Sequence, residues 1–447
     1  MQPWDLLASD SVQGFIEEAL ARKWDALQVS TALNKAGYSN EDRAAIMDYM
    51  ALVPKFRKKF DTDGIAGKQS ELSLLCDRLA LEQSTAQDIG RWKANLWPRD
   101  GSVNDLCCGM GGDSFYLPAS LALTGVDLDE NRLAMYMYNL KAFGKDASVR
   151  CADVRDVARE NGTKMPASAG MTKTDYFTID PARRAIEGEN QRDLRNLTPT
   201  LEEVVEISNH YRGGMAKLPP GYPPAEIPDD TEILYLGGHS DCRECLVLFG
   251  ELAKNPDTVR AIIVDKNGET VAEWTRRRYR SLETLDDDLQ EKLDRNDSLE
   301  GKDRTYRTAT SRSDLPLGEI GKYIAEPAPV LIRSRIFSDA ALACDPGAHL
   351  ISEGIAYVSS DKPLPAPAFA SYEILAHTEI ATGAVRAMLK EHDIGKITLK
   401  LRGVKLDPDA EAKRLKPKGK NSAFLFYTRF RGEKIAILTR RCPPPRA

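Results

Sequence analysis

Asp105-Leu-Cys-Cys-Gly-Met-Gly-Gly-Asp113 completes a short apolar run, Val103 to Leu106, and this junction decides the fold. A strand that runs into a turn carrying Gly109 and Gly111 lets the backbone approach a ligand in geometries other residues resist. A second strand, Leu121 to Val126, ends in Asp127, and two later strand ends carry Asp153 and Asp180. A glycine turn followed by acids at successive strand tips is how an open α/β sheet holds a nucleoside beyond its carboxyl edge. A dinucleotide fits poorly. Its G-x-G-x-x-G fingerprint needs a third glycine where Ser114 stands, and Asp113 would lie near a pyrophosphate. A sulfonium nucleoside has no phosphate and carries positive charge, so these residues favour S-adenosylmethionine.

Each acid has an expected role. Asp105 organises the loop or meets the cationic methionine end of the donor. Asp127 accepts hydrogen bonds from both ribose hydroxyls, and Asp153 meets the adenine amino group. The alternative is that these acids cap helices or form ion pairs. Asp180-Pro181 ends the fourth strand, YFTI, where proline stiffens the exit and fixes the carboxylate near the donor methyl. Asp180 is the expected orienting residue, with a general-base role in reserve. Arg183 and Arg184 are candidates for phosphate or carboxylate on the substrate, or for local ion pairs.

Working outward, 447 residues call for more than one core, and 42% hydrophobic and 29% charged residues with net charge -5 describe a globular chain. No apolar run is long enough to span a bilayer, and MQPWDLLASD lacks the pattern of a signal peptide. Eight scattered cysteines read as cytosolic thiols, so the expected location is cytoplasmic. Cys242-x-x-Cys245 has no second pair, which gives zinc little support, and His210 and His239 stand alone.

The periodicity predicts a helical domain over 1–96, with long helical stretches at SVQGFIEEALARKW, EDRAAIMDYMALVPKF and ELSLLCDRLALEQSTAQDIGRWKANLW. Residues just before Trp92 either pack on the next domain alone or also cover a ligand. Residues 97–275 alternate strand and helix, predicting a mostly parallel sheet. SDCRECLVLFGELA reads there as a helix, and the Asn267-Gly268 pair in VRAIIVDKNGETVAEW as a hairpin turn. A charged linker, 276–319, leads to an α+β module over 320–447 that ends in a hairpin across Arg431-Gly432-Glu433.

LCCGMGGD, GVDLDENRLAMYMYNLKAFG, VRCADVRD and YFTIDPARRA together resemble the motifs of class I S-adenosylmethionine-dependent methyltransferases. The glycine turn is most similar to that of the RNA-cap hypermethylating enzymes. From about residue 70 onward the chain resembles bacterial methyltransferase-like proteins with a C-terminal THUMP-like domain. LEQSTAQDIGRWKA, IDPARR, MAKLPPG and LKPKGKNSAFLFYTRFRGEKIAIL carry that likeness. The resemblance implies a Rossmann-like methyltransferase sheet between an N-terminal helical domain and a THUMP-like module, with RNA as partner. Cys107 stands where the family's first motif often has glycine. Amino-methylating relatives carry an acid or Asn, then Pro, Pro and an aromatic. Asp180 and Pro181 match this pattern, whereas Ala182 and Arg183 depart from it.

The implied function is methylation of an RNA base. A non-catalytic RNA-binding scaffold and a small-molecule or protein methyltransferase remain the alternatives. Lys416, Lys418 and Lys420 are the expected RNA-backbone contacts, with Tyr427 or Phe430 touching bases, unless these lysines form only a solvated face.

Overall fold

The computed structural model describes residues 3–60, 73–162, 174–183, 196–222, 224–278 and 315–443. It divides into two compact units. The first holds the described residues up to Ile233 together with 244–256 and 264–270; the second holds 234–243, 257–263 and those from 271 onward. The charged run within 276–319 and Arg184 lie almost wholly or wholly outside the described residues.

After a short helix, Pro3–Leu7, the first unit continues with helices Asp10–Ala21, Ala26–Lys35 and Asn40–Met50. Ser9, Asp25 and Ser39 each accept a first-turn backbone N–H, satisfying donors that a helix start leaves unpaired. Val12, Ile16, Val29, Leu33 and Ile46 are buried on their inner faces.

The second long helical stretch is divided at Ala51-Leu52, with Val53–Lys59 a separate helix, and the third is broken more fully. Residues 73–77 are not helical, and two short helices follow, Arg78–Gln83 and Gln87–Ala94, separated by Ser84-Thr85-Ala86. Asn139 explains the first break, because its side-chain amide bonds both Leu75 N–H (2.7 Å) and Leu75 C=O (2.9 Å). Those groups cannot then join a helical ladder, and Leu74, Leu75 and Cys76 are buried outside any helix or strand.

The strands of the α/β region are β1 (Ser102–Leu106), β2 (Ala122–Asp127), β3 (Ala147–Cys151), β4 (Tyr176–Ile179), β5 (Ala182–Arg183), β6 (Leu197–Thr198), β7 (Gly213–Leu218), β8 (Glu232–Gly237), β9 (Glu244–Gly250), β10 (Thr258–Val264) and β11 (Thr270–Arg277). In the first unit the neighbours run β9-β7-β4-β1-β2-β3. From β7 to β3 every pairing is parallel. The chain steps outward from β1 through β2 and β3, then returns to β4 on the other side of β1. That reversal makes the β1/β4 crevice the switch point where open α/β sheets bind ligands.

The expected helix at SDCRECLVLFGELA is strand β9, antiparallel to β7. Its six residues from Glu244 to Phe249 are all buried, and a short, fully buried apolar run carries no period that separates strand from helix. Val103, Leu106, Val126, Phe177, Ile179, Met215 and Leu248 form the sheet's core. Each such burial stabilises by roughly 1.5–3 kcal/mol for the larger side chains.

In the second unit β11, β10 and β8 are neighbours. Seven more strands follow: β12 (Tyr323–Pro327), β13 (His349–Leu350), β14 (Val358–Ser360), β15 (Phe369–Glu379), β16 (Ile394–Leu401), β17 (Asn421–Phe430) and β18 (Glu433–Arg441). They form a sheet in the order β13-β14-β12-β15-β18-β17-β16. The β17–β18 hairpin lies where expected, with Arg431 and Gly432 both at positive φ (49° and 87°), as a tight hairpin turn requires. A short helix, Pro329–Arg333, follows β12, and β16 pairs with β17 in parallel. A parallel pair needs a crossover, supplied here by helix Pro408–Leu415. Along β17, Leu425 and Tyr427 face helices Thr382–Glu391 and Pro408–Leu415, while Phe424 and Phe426 face the opposite side.

Candidate active site

The glycine turn is held by the strands beneath it. Cys108 N–H bonds Val126 C=O at 3.1 Å, and Gly109 N–H bonds the Asp127 carboxylate at 3.1 Å, tying the β1 loop to the tip of β2. Gly109 has φ 54°, and a Cβ there would meet no atom within 4 Å, so the loop presents open space on that side. Gly112 is the reverse: a Cβ would lie 2.9 Å from Ser84 Cβ and 3.1 Å from Thr85 N. The break between the two short helices therefore packs directly on the loop. Cys107 also adopts a left-handed φ of 60°, which explains why glycine suits that position. Its thiol and that of Cys108 are pushed upward in pKa by burial.

Asp127 accepts a second bond from Asp129 N–H (3.1 Å), and a carboxylate has capacity for further donors such as ribose hydroxyls. Asp105 lies beneath the loop, buried, accepting from Ser114 Oγ at 2.6 Å; Ser114 in turn lies 3.0 Å from Tyr136 Oη. Burial and the nearby Asp113 raise its pKa well above the ordinary aspartate value. Asp153 caps helix Val154–Gly162 through Arg155 N–H (2.9 Å), and Arg155 grips its carboxylate at 2.9 and 2.7 Å while reaching Glu203 at 2.8 Å. That carboxylate is thus already engaged by its own helix start.

Asp180, at the exit of β4, meets Lys217 of β7. Behind this pair lies a network that sequence reasoning missed. Lys217 lies 3.6 Å from Asp113 and 3.5 Å from Thr85 Oγ. Lys93, from helix Gln87–Ala94, meets Asp113 and bonds Glu244 at 3.0 Å. Thr85 Oγ–H is within reach of Asp113 (2.7 Å) and Glu244 (2.8 Å) and donates to either. Glu244 reaches the site because β9 runs antiparallel to β7, with Cys245 opposite Leu218. The first residue of β9 therefore sits at the edge where the parallel strands finish.

The network grades from interior to opening: the Lys93 side chain is 2% exposed, Lys217 15% and Asp180 35%. Burial pushes the Asp180 pKa up, Asp113 and Glu244 add to that, and Lys217 opposes it. For Asp113 burial also acts upward, but Lys93 and Lys217 outweigh it and hold the carboxylate below its usual range. Lys93 and Lys217 are lifted by their carboxylate neighbours against the effect of burial. Lys59 is the exception. Burial, helped by the charge of Lys217, lowers it to about 8 while its ammonium rests on the carbonyls of Leu81 and Glu82.

The only available signals for these residues were the segments LEQSTAQDIGRWKA and MAKLPPG. They supply Thr85, Lys93 and Lys217, and the fold brings them to the glycine turn and the fourth-strand tip.

A family described as THUMP domain-like matches residues 370–441. Two Mycobacterium tuberculosis proteins, from strains CDC 1551 / Oshkosh and ATCC 25618 / H37Rv, are each named an uncharacterised S-adenosylmethionine-dependent methyltransferase. Both are 27% identical over 374 residues, covering 82% of this chain and 88% of their own. The crystal structure of a provisionally named methyltransferase from Porphyromonas gingivalis W83 matches with a TM-score of 0.67 at 19% identity, over 97% of this chain and 99% of that one. The chain therefore shares the fold of that methyltransferase, and residues 370–441 form a THUMP-like domain.

In the THUMP-like domain Lys416, Lys418 and Lys420 are exposed, between helix Pro408–Leu415 and β17. Tyr427 is not available to bases. It is fully buried and its hydroxyl donates to Glu411 at 2.9 Å. Phe430 is partly exposed, with the Arg431 guanidinium 5.2 Å from its ring centre. Arg183 lies on β5, paired with β6. Among the described residues no helix is long and apolar enough to cross a membrane.

Proposed function

We propose that this protein is an S-adenosylmethionine-dependent methyltransferase that modifies a base in RNA. The observation that carries the reading is the convergence of the Gly109 turn, Asp127 and Asp180 around the β1/β4 switch point. The open side of Gly109 and the spare acceptor capacity of Asp127 fit an adenosyl ribose. When bound, the donor supplies an electrophilic methyl group on a sulfonium cation. Three carboxylates, Asp113, Glu244 and Asp180, set against two ammonium groups, Lys93 and Lys217, suit a cation at this edge.

Asp180 accepts a hydrogen bond from the N–H or O–H of the methyl acceptor and turns its lone pair toward the donor. Pro181 fixes the backbone that carries this carboxylate. Positioning and exclusion of water supply most of the rate, as expected where two reactants need only alignment. Asp105 shapes the loop through Ser114, and Asp153 sets the start of its helix beside the adenine end. Residues 97–275 form the transferase domain and 1–96 the helical domain, with 276–319 linking to the THUMP-like domain. Arg183 and Arg184 contact substrate phosphate. RNA as substrate class rests on the THUMP-like match and the exposed Lys416, Lys418 and Lys420. The eight free cysteines accord with a cytoplasmic protein.

A scaffold that keeps the fold without turnover is the competing reading, favoured by Ala182 and Arg183, which stand where amino-methylating relatives carry proline and an aromatic residue. Incubation with labelled donor and unmodified cellular RNA, followed by mass spectrometry of nucleosides, separates the two. One methylated nucleoside should appear with the wild type, and Asp180→Asn should cut its rate by about 100-fold or more. Donor binding with no label in RNA supports the scaffold.

A further inference from the structure

We propose that Lys217 is a positioning residue, whose ammonium holds the Asp180 carboxylate at the fourth-strand exit in the place where the methyl acceptor binds. The inference rests on the methyltransferase reading of this site and extends it to a residue outside the glycine turn and strand-four motif. Five charges of alternating sign run Glu244, Lys93, Asp113, Lys217, Asp180, drawn from β9, helix Gln87–Ala94, the glycine turn, β7 and the end of β4. Thr85 braces the middle of this chain, reaching Asp113, Glu244 and Lys217. A lysine side chain has many conformers, and one ion pair rarely fixes it in a single arrangement. Here Lys217 is contacted from behind by Asp113 and Thr85, so its ammonium has one place to go.

Stability alone does not call for this design. A buried ion pair is often matched or bettered by apolar side chains of similar volume. Nor does stability require the last member to face the opening, yet the Asp180 side chain is the most exposed of the five-charge network. Among the described residues the groups that act on Asp180 are Lys217, Asp113 and Glu244, with Cys107 and Asp105 of the same loop and Lys93 one step behind. Only Lys217 among the first three favours the charged carboxylate, and it must outweigh two acids to keep Asp180 ready to accept a proton-bearing nucleophile.

The test uses the full chain with its aspartates carboxyl-labelled with carbon-13. The Asp180 resonance is identified by its loss in Asp180→Asn. In Lys217→Met the titration of Asp180 should move to higher pH by about 1–3 pH units, the usual effect of an adjacent opposite charge. In Glu244→Gln it should move the other way, because one repelling carboxylate is gone. Lys217→Arg should restore most of the wild-type titration. The acid limb of the methyl-transfer pH profile should follow the same three directions, with adenosylhomocysteine binding unchanged.

A lysine that merely stabilises the fold would lower activity equally at all pH values and leave the resonance in place. That result, or movement in the same direction for Lys217→Met and Glu244→Gln, overturns the proposal. Failure of wild-type protein to methylate RNA would instead count against the functional reading, since the carboxyl titration does not depend on turnover.

Discussion

The two charged regions of this chain use lysine in opposite ways. At the strand tips of the first unit, Lys93 and Lys217 are enclosed by Asp113, Glu244 and Asp180, so their charge is spent on fixing geometry. In the THUMP-like domain, Lys416, Lys418 and Lys420 are exposed, so their charge acts as a field that a polyanion can sense. A lysine in a sequence therefore carries no fixed meaning. Its neighbours decide whether it orients a carboxylate or attracts a phosphate.

The comparison breaks most readily at Lys93. Lys93→Met should destabilise the protein by about 3–5 kcal/mol, because it leaves Asp113 and Glu244 buried without their cation. Urea unfolding measures this, and a loss within error of zero would mean the network is solvated rather than structural. The same network predicts a pH dependence. Asp113 has a folded pKa below the ordinary aspartate value of 3.8, so its stabilising contribution is present above that value. It is lost as pH falls through the lower folded pKa. In Lys93→Met this acid-side loss should flatten.

The exposed lysines should respond quite differently. Reversing charge at Lys416, Lys418 and Lys420 should leave unfolding within about 0.5 kcal/mol of wild type. RNA binding should weaken, and the slope of log affinity against log salt should fall by about 2 if all three meet phosphates of a single strand. Titrations at several salt concentrations measure this, and an unchanged slope removes that surface from the account.

Much of the α/β region was legible because its signals are local. Ser102–Leu106, Tyr176–Ile179 and the glycine turn announce themselves by apolar run and turn chemistry, and the helical spacing over Asn131 to Phe143 differs from helix Glu130–Ala142 by one residue at each end. The hairpin at Arg431-Gly432 was equally plain. What escaped is nonlocal. The strand Glu244–Gly250 reads as a helix until a buried neighbour on β7 fixes it, and only its antiparallel course carries Glu244 to the site.

The break before Arg78 depends on Asn139, more than sixty residues away in sequence, taking both backbone groups of Leu75. Tyr427 looked like a base-stacking ring because its alternation with Phe426 gives two faces without saying that both are covered. Lys93 and Lys217 lie in segments that the family resemblance singled out, yet nothing in their immediate sequence separates a buried lysine from a solvated one.

The central claim is that the Gly109 turn and Asp127 together seat an adenosyl sulfonium donor, and calorimetric titration with adenosylhomocysteine tests it most directly. Saturable binding should occur with the wild type and weaken by roughly 1.5–3 kcal/mol in Asp127→Ala, the worth of hydrogen bonds to a charged acceptor. Preferential saturation by a nicotinamide dinucleotide, or adenosylhomocysteine binding indifferent to Asp127, would contradict the account.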